Sequence, residues 1–341
     1  MNNTVIGLDL AKAIYHSIEL GVNSKVIQRK KFKRQQLKAH MINRPPSKIA
    51  MEACATAHYW ARVFSAMGHT VELLPPQHVK AYLRKQKNDY NDALAIAEAC
   101  QHSAIRPVPI KSVAQQDEQA LHRMREQRVK QKTQVANQIR GLLGEYGLII
   151  RPGISHVFKQ VPVMLADAEN NLTSRFRQLL HREYQQLLAI REDVAWCDKQ
   201  LQQQSRQDPV CQRLMAIPGF GPVVSSAVKS WMGDGQQFEK GRHASAALGL
   251  VPRQHSSGDK IRLLGITKCG DKYLRSLVVN GARAVVAHVG HKTDPLSVWI
   301  QRMRERHCFN KVVVALANKL IRMAWVIIAR GDTYRPNAGQ A

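Results

Sequence analysis

The sequence predicts an α/β domain at the N-terminus, followed by a long helical arm and a mainly α-helical C-terminal domain. Short apolar runs alternate with helical patterns over the first part of the chain, as in domains built from helices packed on a sheet. From Ser112 to Leu143 the chain is rich in Gln, Lys, Arg, Leu and Val, has no proline, and reaches its first glycine at Gly141. The remainder begins with a segment dense in glycine and basic residues and ends in helical patterns.

The N-terminal pattern predicts a mixed sheet. Apolar runs at residues 4–9, 14–20 and 25–32 are typical of antiparallel neighbours, and Pro75 and Pro76 end a later strand. Helical patterns follow between and after the later strands, which favours parallel connections there. We expect the remaining strands at residues 49–52 and 70–74, and helices over residues 55–67 and 89–102.

The middle of the chain predicts an antiparallel arm of two long helices, over residues 112–143 and 170–205, with a break near 144–162. Its cations fit a plain charged spacer as well as an arm that binds nucleic acid and mediates oligomerisation, so both interpretations stay open. In the C-terminal part we expect helices over residues 272–289 and 310–329. The predicted division is 1–110, 111–207, 208–332 and a tail over 333–341.

The charge balance indicates a polyanionic partner. The 341 residues include 51 Lys and Arg against 25 Asp and Glu, a formal net charge of +26. Such an excess favours DNA or RNA, with a membrane surface as the alternative. We expect no apolar run near the roughly 18 residues that span a bilayer, no secretion signal, and six reduced cysteines rather than a zinc site.

Four acidic residues are spaced like one metal site: Asp9, Glu52, Asp89 and Asp92. Asp9 and Glu52 end apolar strand runs, where a carboxylate is unfavourable without a partner. Asp89 and Asp92 share one face of the predicted helix, since they lie three residues apart. Hard oxygen ligands suit Mg²⁺, so an RNase H-like metal site is favoured over scattered surface acids.

Two further motifs point to a phosphate backbone. In the run from Ile217 to Pro222, Gly219 and Gly221 fit a helix-hairpin-helix turn that lets the backbone approach phosphate, although an ordinary connector has the same pattern. Ser256 and Ser257 precede Gly258 among cations, where a hydroxyl can attack phosphorus, but loop serines usually form turns. The candidate phosphate contacts are Arg253, Lys260, Arg262, Lys268 and Arg275.

The motifs resemble one known family. GLDLAK, the MEA segment followed by HYW, and KNDYNDALAIA resemble the N-terminal domain of the DEDD transposases of bridge-RNA-guided insertion sequences, a family that includes pilin-gene-inverting recombinases. AIPGFGPVVSSAV and the segment from ASAALGLVPRQHSSGDK to GARAV resemble their C-terminal transposase domain. The resemblance covers nearly the whole chain, in the right order. It fits best the subgroup that targets the ends of repeated elements.

The resemblance implies a RuvC-like fold for the first domain and Mg²⁺ bound by the tetrad Asp9, Glu52, Asp89 and Asp92. It implies that Ser257 is the nucleophile of a covalent phosphoserine and that strand exchange passes through a Holliday junction. The implied partners are double-stranded donor and target DNA, a structured guide RNA, and further copies of the chain in a dimer or tetramer. We therefore expect a bacterial cytoplasmic protein that joins the nucleoid when active, not a membrane protein.

Three other interpretations fit parts of the pattern. A resolvase-type nuclease would use the same four acids with water as the nucleophile, leaving Ser257 to bind the backbone. A non-catalytic architectural or RNA-binding protein would carry a degenerate acidic site. Tyr273 could act as a recombinase tyrosine, but a lone tyrosine in a helix more often packs.

Overall fold

A computed structural model describes residues 4–84, 86, 88–258 and 260–336. The chain divides into two compact units, Met1–Gln116 and Asp117–Ala341. The predicted tail lies partly outside the described residues. The four-part division made from the sequence remains a prediction.

The first unit contains a five-stranded mixed sheet in the order β3-β2-β1-β4-β5. Strand β1 pairs antiparallel with β2 and parallel with β4, while β2–β3 is antiparallel and β4–β5 is parallel. The predicted α/β class with a mixed sheet is therefore confirmed. The strands are β1 (Val5–Leu10), β2 (Ile14–Leu20), β3 (Val26–Lys33), β4 (Lys48–Glu52) and β5 (Thr70–Leu74).

Helices cover both faces of this sheet. Val5 on β1 packs in the core on one face of the sheet, beneath the helix Asp89–Cys100. Its neighbour Ile6 packs in the core on the opposite face, because successive strand residues point to opposite sides. Trp60 and Phe64 fill the second core and are almost fully buried. The helices are α1 (Arg34–Ile42), α2 (Ala57–Ala66), the short α3 (Pro76–Val79) and α4 (Asp89–Cys100).

Two long helices begin the remainder of the chain, as predicted: α5 (Val113–Gly144) and α7 (Ser174–Gln207). The Thr173 hydroxyl caps α7 by accepting a hydrogen bond from the Phe176 N–H. The predicted break contains an additional helix, α6 (Ile154–Ala166), with Pro162 inside it. Its buried Val157 and Val161 belong to one core with residues of α5 and α7.

The C-terminal segment is mainly helical, as predicted, around one core. It contains α8 (Pro209–Met215), α9 (Pro222–Met232), α10 (Gly241–Ala247), α11 (Lys272–Ala287), α12 (Pro295–Arg306) and α13 (Phe309–Arg330). A two-stranded antiparallel hairpin, β6 (Pro252–Gln254) and β7 (Leu263–Ile266), interrupts the helices. The glycine-rich run predicted as a helix-hairpin-helix turn connects α8 to α9. The phosphate-binding role of that turn remains a prediction.

Helix α13 corrects one expectation. By length and composition it is apolar enough to cross a membrane, so the expectation that no apolar run reaches that length is wrong. Half of its apolar window is buried inside the protein. Leu316, Leu320 and Ile321 are fully buried in the C-terminal core. Packing as a core helix therefore accounts for its composition.

Candidate active site

Strand alternation places two of the predicted acids on one face of the sheet. Asp9 has the same parity on β1 as Val5, and Glu52 has the same parity on β4 as Ala50. Val5 and Ala50 pack in the core beneath α4. Since side chains two residues apart share a face, Asp9 and Glu52 lie on the side of the sheet that α4 covers. Both are partly buried.

A glycine lets α4 approach that face closely. A Cβ atom built on Gly7 would lie 2.7 Å from the Ala97 Cβ and N, and would also clash with the carbonyl oxygen of Ala93. Helix α4 begins near the carboxyl ends of β1 and β4, and the Asn88 side chain caps it by accepting a hydrogen bond from the Tyr90 N–H. The close approach and the cap together place the first turn of α4, with Asp89 and Asp92, next to Asp9.

The structure brings three of the four predicted acids into one cluster. Ligand oxygens of Asp9, Asp89 and Asp92 all lie within 4.8 Å of one another. Glu52 does not belong to this group of three. Its negative charge still raises the pKa of Asp9, and the charge of Asp92 raises the pKa of Glu52 in turn. The four predicted acids therefore lie together at the carboxyl ends of β1 and β4, with Glu52 at the margin of the group.

The electrostatics of the cluster favour a bound cation. Burial, followed by the charges of Asp92, Asp89 and Glu52, raises the pKa of Asp9 to about 6. Burial and the charge of Asp92 also raise the pKa of Glu52. Carboxylates that repel one another at close range fit a divalent cation, because its charge removes the repulsion and carboxylate oxygens are the ligands that Mg²⁺ prefers.

Sequence reasoning missed one neighbour of the cluster. His16 lies directly across from Asp9 on β2. Its Nδ1 is 3.4 Å from the Asp89 carboxylate, and its ring packs edge-on against Tyr90 with the centroids 4.8 Å apart. The pairing of β1 with β2, both predicted from the sequence, could have identified this residue, because their antiparallel register places His16 opposite Asp9.

Replacing Asp9 by asparagine should stabilise the metal-free protein near neutral pH. The pKa of Asp9 is higher in the fold than in the unfolded chain, so wild-type stability falls as pH rises from about 4 through about 6. Asparagine cannot ionise and avoids this loss. Thermal unfolding in EDTA should show Asp9→Asn above wild type at about pH 7.5 and close to it at about pH 4. A variant less stable than wild type at the higher pH would contradict the repulsion.

The predicted serine pair lies in the loop that connects β6 to β7. The Ser256 hydroxyl accepts hydrogen bonds from the Arg262 N–H at 3.2 Å and from the Gln254 side chain at 3.1 Å. Ser257 is exposed, and within the described residues no hydrogen bond engages its hydroxyl. Gly258 follows with φ of +55°, a conformation that favours glycine. The loop thus holds one serine and presents the other to solvent.

Four of the predicted phosphate contacts are exposed in this segment, and the fifth, Arg275, donates to backbone carbonyl groups. Arg253, Lys260, Arg262 and Lys268 are exposed. Arg275 is half-buried, and its guanidinium donates to the carbonyl oxygens of Leu248 and Cys269 at 3.2 and 2.6 Å. Arg275 therefore fixes the backbone on either side of the hairpin, and its predicted contact with phosphate remains a prediction.

The two glycines of the α8–α9 turn also differ. A Cβ on Gly219 would lie 2.7 Å from the carbonyl oxygen of Gly281 on α11, so close internal packing accounts for this glycine. Gly221 is exposed before α9 and faces open space. Tyr273 is half-buried and its hydroxyl lies 3.2 Å from His122 Nδ1, which fits the packing role expected of it.

Comparisons with known proteins agree with this arrangement. Residues 6–148 match a DEDD-type IS110 transposase domain, and residues 211–295 match the transposases of the IS116/IS110/IS902 family. A probable family 20 transposase of Pseudomonas aeruginosa is 43% identical over 98% of this chain and 100% of its own length. The transposase for insertion sequence element IS1111A of Coxiella burnetii is 41% identical over 98% and 92%. The pilin gene-inverting protein of Moraxella bovis is 24% identical over 98% of each chain.

An acidic cluster on a mixed α/β sheet, in a strongly basic chain, is the arrangement expected of an enzyme that acts on nucleic acid. The chain belongs to the IS110 family of transposases, and its function is DNA recombination. The resemblance found in the sequence is therefore confirmed. A DEDD-type domain also indicates a divalent metal.

Proposed function

We propose that this transposase is an RNA-guided DNA recombinase that depends on Mg²⁺ and breaks strands through a covalent phosphoserine. The observation that carries the proposal is the convergence of Asp9, Asp89 and Asp92 within 4.8 Å at one edge of the sheet. The exposed hydroxyl of Ser257 supports the covalent step. The proposed parts are a catalytic domain over 1–110, an arm over 111–207 and a C-terminal transposase domain over 208–332.

Asp9, Asp89 and Asp92 would hold the metal, with Glu52 completing the set from the end of β4. Mg²⁺, when bound, would neutralise charge on the scissile phosphate and polarise its oxygens. The carboxylates themselves hold the site in place, because Asp9 is fixed by the sheet and the other two by the first turn of α4. The Nδ1 of His16, on the neighbouring strand, lies 3.4 Å from the Asp89 carboxylate.

Ser257 would supply the nucleophile. Its Oγ would form an ester bond to phosphorus as the bond from phosphorus to the leaving deoxyribose oxygen breaks, and the serine proton would pass through solvent to that oxygen. The ester conserves the energy of the phosphodiester, so no ATP is consumed when a partner strand end attacks it in turn. Arg253, Lys260, Arg262 and Lys268 would bind the phosphates around the loop without reading bases.

Target choice would come from a structured RNA that pairs with donor and target DNA, while the protein recognises duplex shape and backbone. The net charge of +26 supports two nucleic-acid partners at once. The helical arm would join copies of the chain into a dimer or tetramer. The protein would work in the cytoplasm and associate with the nucleoid when active.

Alanine at Asp9 or Asp92 should abolish Mg²⁺-dependent cleavage of element ends without unfolding the protein. Each variant removes one carboxylate from the cluster and leaves the sheet and α4 intact. Strand cleavage is measured on labelled DNA with the guide RNA, across a Mg²⁺ titration. Glu98→Ala, an acid on the same helix but away from the cluster, is the matched control. Full cleavage by both variants would exclude these carboxylates from the reaction.

A further inference from the structure

A basic cleft lies on the C-terminal segment, on a surface that the proposed chemistry leaves unused. It has a volume of about 810 Å³ and is formed by α12, α13 and the start of α10. We call it the α10–α13 cleft. Most of its lining lies beyond residue 295, outside both segments that match the transposase families. The lining side chains used below are Lys240, Arg242, Trp299, Lys319, Arg322 and Trp325.

The charge of the cleft is of one sign. Four of its lining residues are cations, and among the residues that the structure describes around it no acid contributes to the lining. Lys240 also makes a long contact of 3.8 Å with Glu239, which is an exposed pair of little energy. A cleft lined by one sign of charge attracts the opposite charge, so this cleft suits an anion that carries several charges.

The cleft also offers aromatic surface, which a site for a simple anion would not need. Trp299 is half-buried, and the Lys319 ammonium lies 4.9 Å from the centre of its ring. Trp325 is 7% exposed, and its indole N–H donates to the carbonyl oxygens of Gly235 and Phe238 at 3.0 and 3.1 Å. These contacts hold both rings in place beside the cations.

Close backbone packing builds the cleft. A Cβ on the buried Gly241 would lie 3.2 Å from both the Cα and the carbonyl oxygen of Arg322, so α10 and α13 meet backbone to backbone. Gly241 stands between Lys240 and Arg242 in the chain. The contact therefore places these two cations beside Arg322, and their grouping follows from the fold.

We propose that the α10–α13 cleft binds one or two nucleotides of a single nucleic-acid strand. The four cations bind the phosphates, and Trp299 contacts a base. A single strand is the ligand because a duplex buries the faces of its bases, whereas a free strand can stack them on an aromatic ring. The volume also suits a small ligand rather than a duplex. The site needs neither Ser257 nor the acidic cluster.

Tryptophan fluorescence tests the proposal on the full-length protein. Short oligothymidylate should quench the emission of wild type, and Trp299→Phe should remove most of that quenching. Lys319→Ala/Arg322→Ala should weaken binding and reduce the slope of log affinity against log salt concentration by about 1.4, as expected for loss of two phosphate contacts to a single strand. The control Arg304→Ala/Arg306→Ala removes two exposed arginines from the last turn of α12, which do not line the cleft, and should change the affinity far less. Thermal unfolding of each variant verifies that it is folded.

Other probes identify the ligand. Oligouridylate in place of oligothymidylate tells whether RNA or DNA is preferred, and an abasic strand should bind more weakly with little quenching. Asp92→Ala and Ser257→Ala should bind the oligonucleotide like wild type, so a failure of the proposed chemistry does not affect this result. Equal weakening by the α12 control would overturn the proposal. So would a hairpin duplex that binds with the same dependence on Lys319 and Arg322 while single strands do not.

Discussion

Replacing Ser257 by alanine should abolish the covalent protein–DNA adduct and recombination while leaving nucleic-acid binding intact. The variant removes only the attacking oxygen, and the exposed side chain has no packing role that alanine would disturb. The adduct is detected by denaturing electrophoresis of labelled DNA after reaction with Mg²⁺ and guide RNA. We expect the yield of adduct and of recombined DNA to fall by several orders of magnitude, because other nucleophiles do not occupy the position of the Ser257 hydroxyl.

Ser256→Ala is the matched control for this experiment. It removes a neighbouring hydroxyl that accepts hydrogen bonds from the Arg262 N–H and the Gln254 side chain. We therefore expect a smaller loss, caused by a looser loop, with the adduct retained. Adducts that persist in Ser257→Ala but vanish in Ser256→Ala would move the nucleophile to Ser256. Cleavage by wild type without any adduct would favour water as the nucleophile, as in a resolvase-type nuclease.

The N-terminal sheet could be predicted because its signals are local. Apolar and polar residues alternate along some strands, and Pro75 and Pro76 mark the end of another. The strand predicted over residues 70–74 matches β5. The same period of two that marks a strand also places Asp9 and Glu52 on one face. Asp89 and Asp92 follow from helical spacing. The acidic cluster was therefore accessible from the sequence, apart from the marginal position of Glu52.

Other features depend on contacts that the sequence does not display. The hairpin β6–β7 was missed because its strands have only three and four residues and are largely exposed, so no apolar alternation marks them. Helix α6 was missed because Pro162 and the glycines before it are typical of a break. Arg275 and Gly219 are predicted phosphate contacts, and only the structure shows that they also have partners inside the protein. Charge and glycine patterns do not distinguish a ligand from the protein's own backbone.

Gly7→Ala should damage the metal site by forcing α4 away from the sheet. The new carbon would lie 2.7 Å from the Ala97 Cβ and would clash with the carbonyl oxygen of Ala93, so α4 must move away from β1. Overpacking of this kind costs about 1–3 kcal/mol of stability. The shift also carries Asp89 and Asp92 away from Asp9, so affinity for Mn²⁺, used as a probe for Mg²⁺, should fall by about ten- to a hundredfold.

The control for Gly7→Ala is Gly141→Ala on α5, where an added Cβ meets nothing within 4 Å. That change should leave metal affinity unchanged and raise helix stability slightly, by up to about 1 kcal/mol. Calorimetric titration with Mn²⁺ and thermal unfolding of both variants separate the two effects. Wild-type Mn²⁺ affinity in a folded Gly7→Ala protein would show that the position of α4 does not govern the acidic cluster. Metal affinity that falls together with cleavage would tie the reaction to the contact between one glycine and one helix.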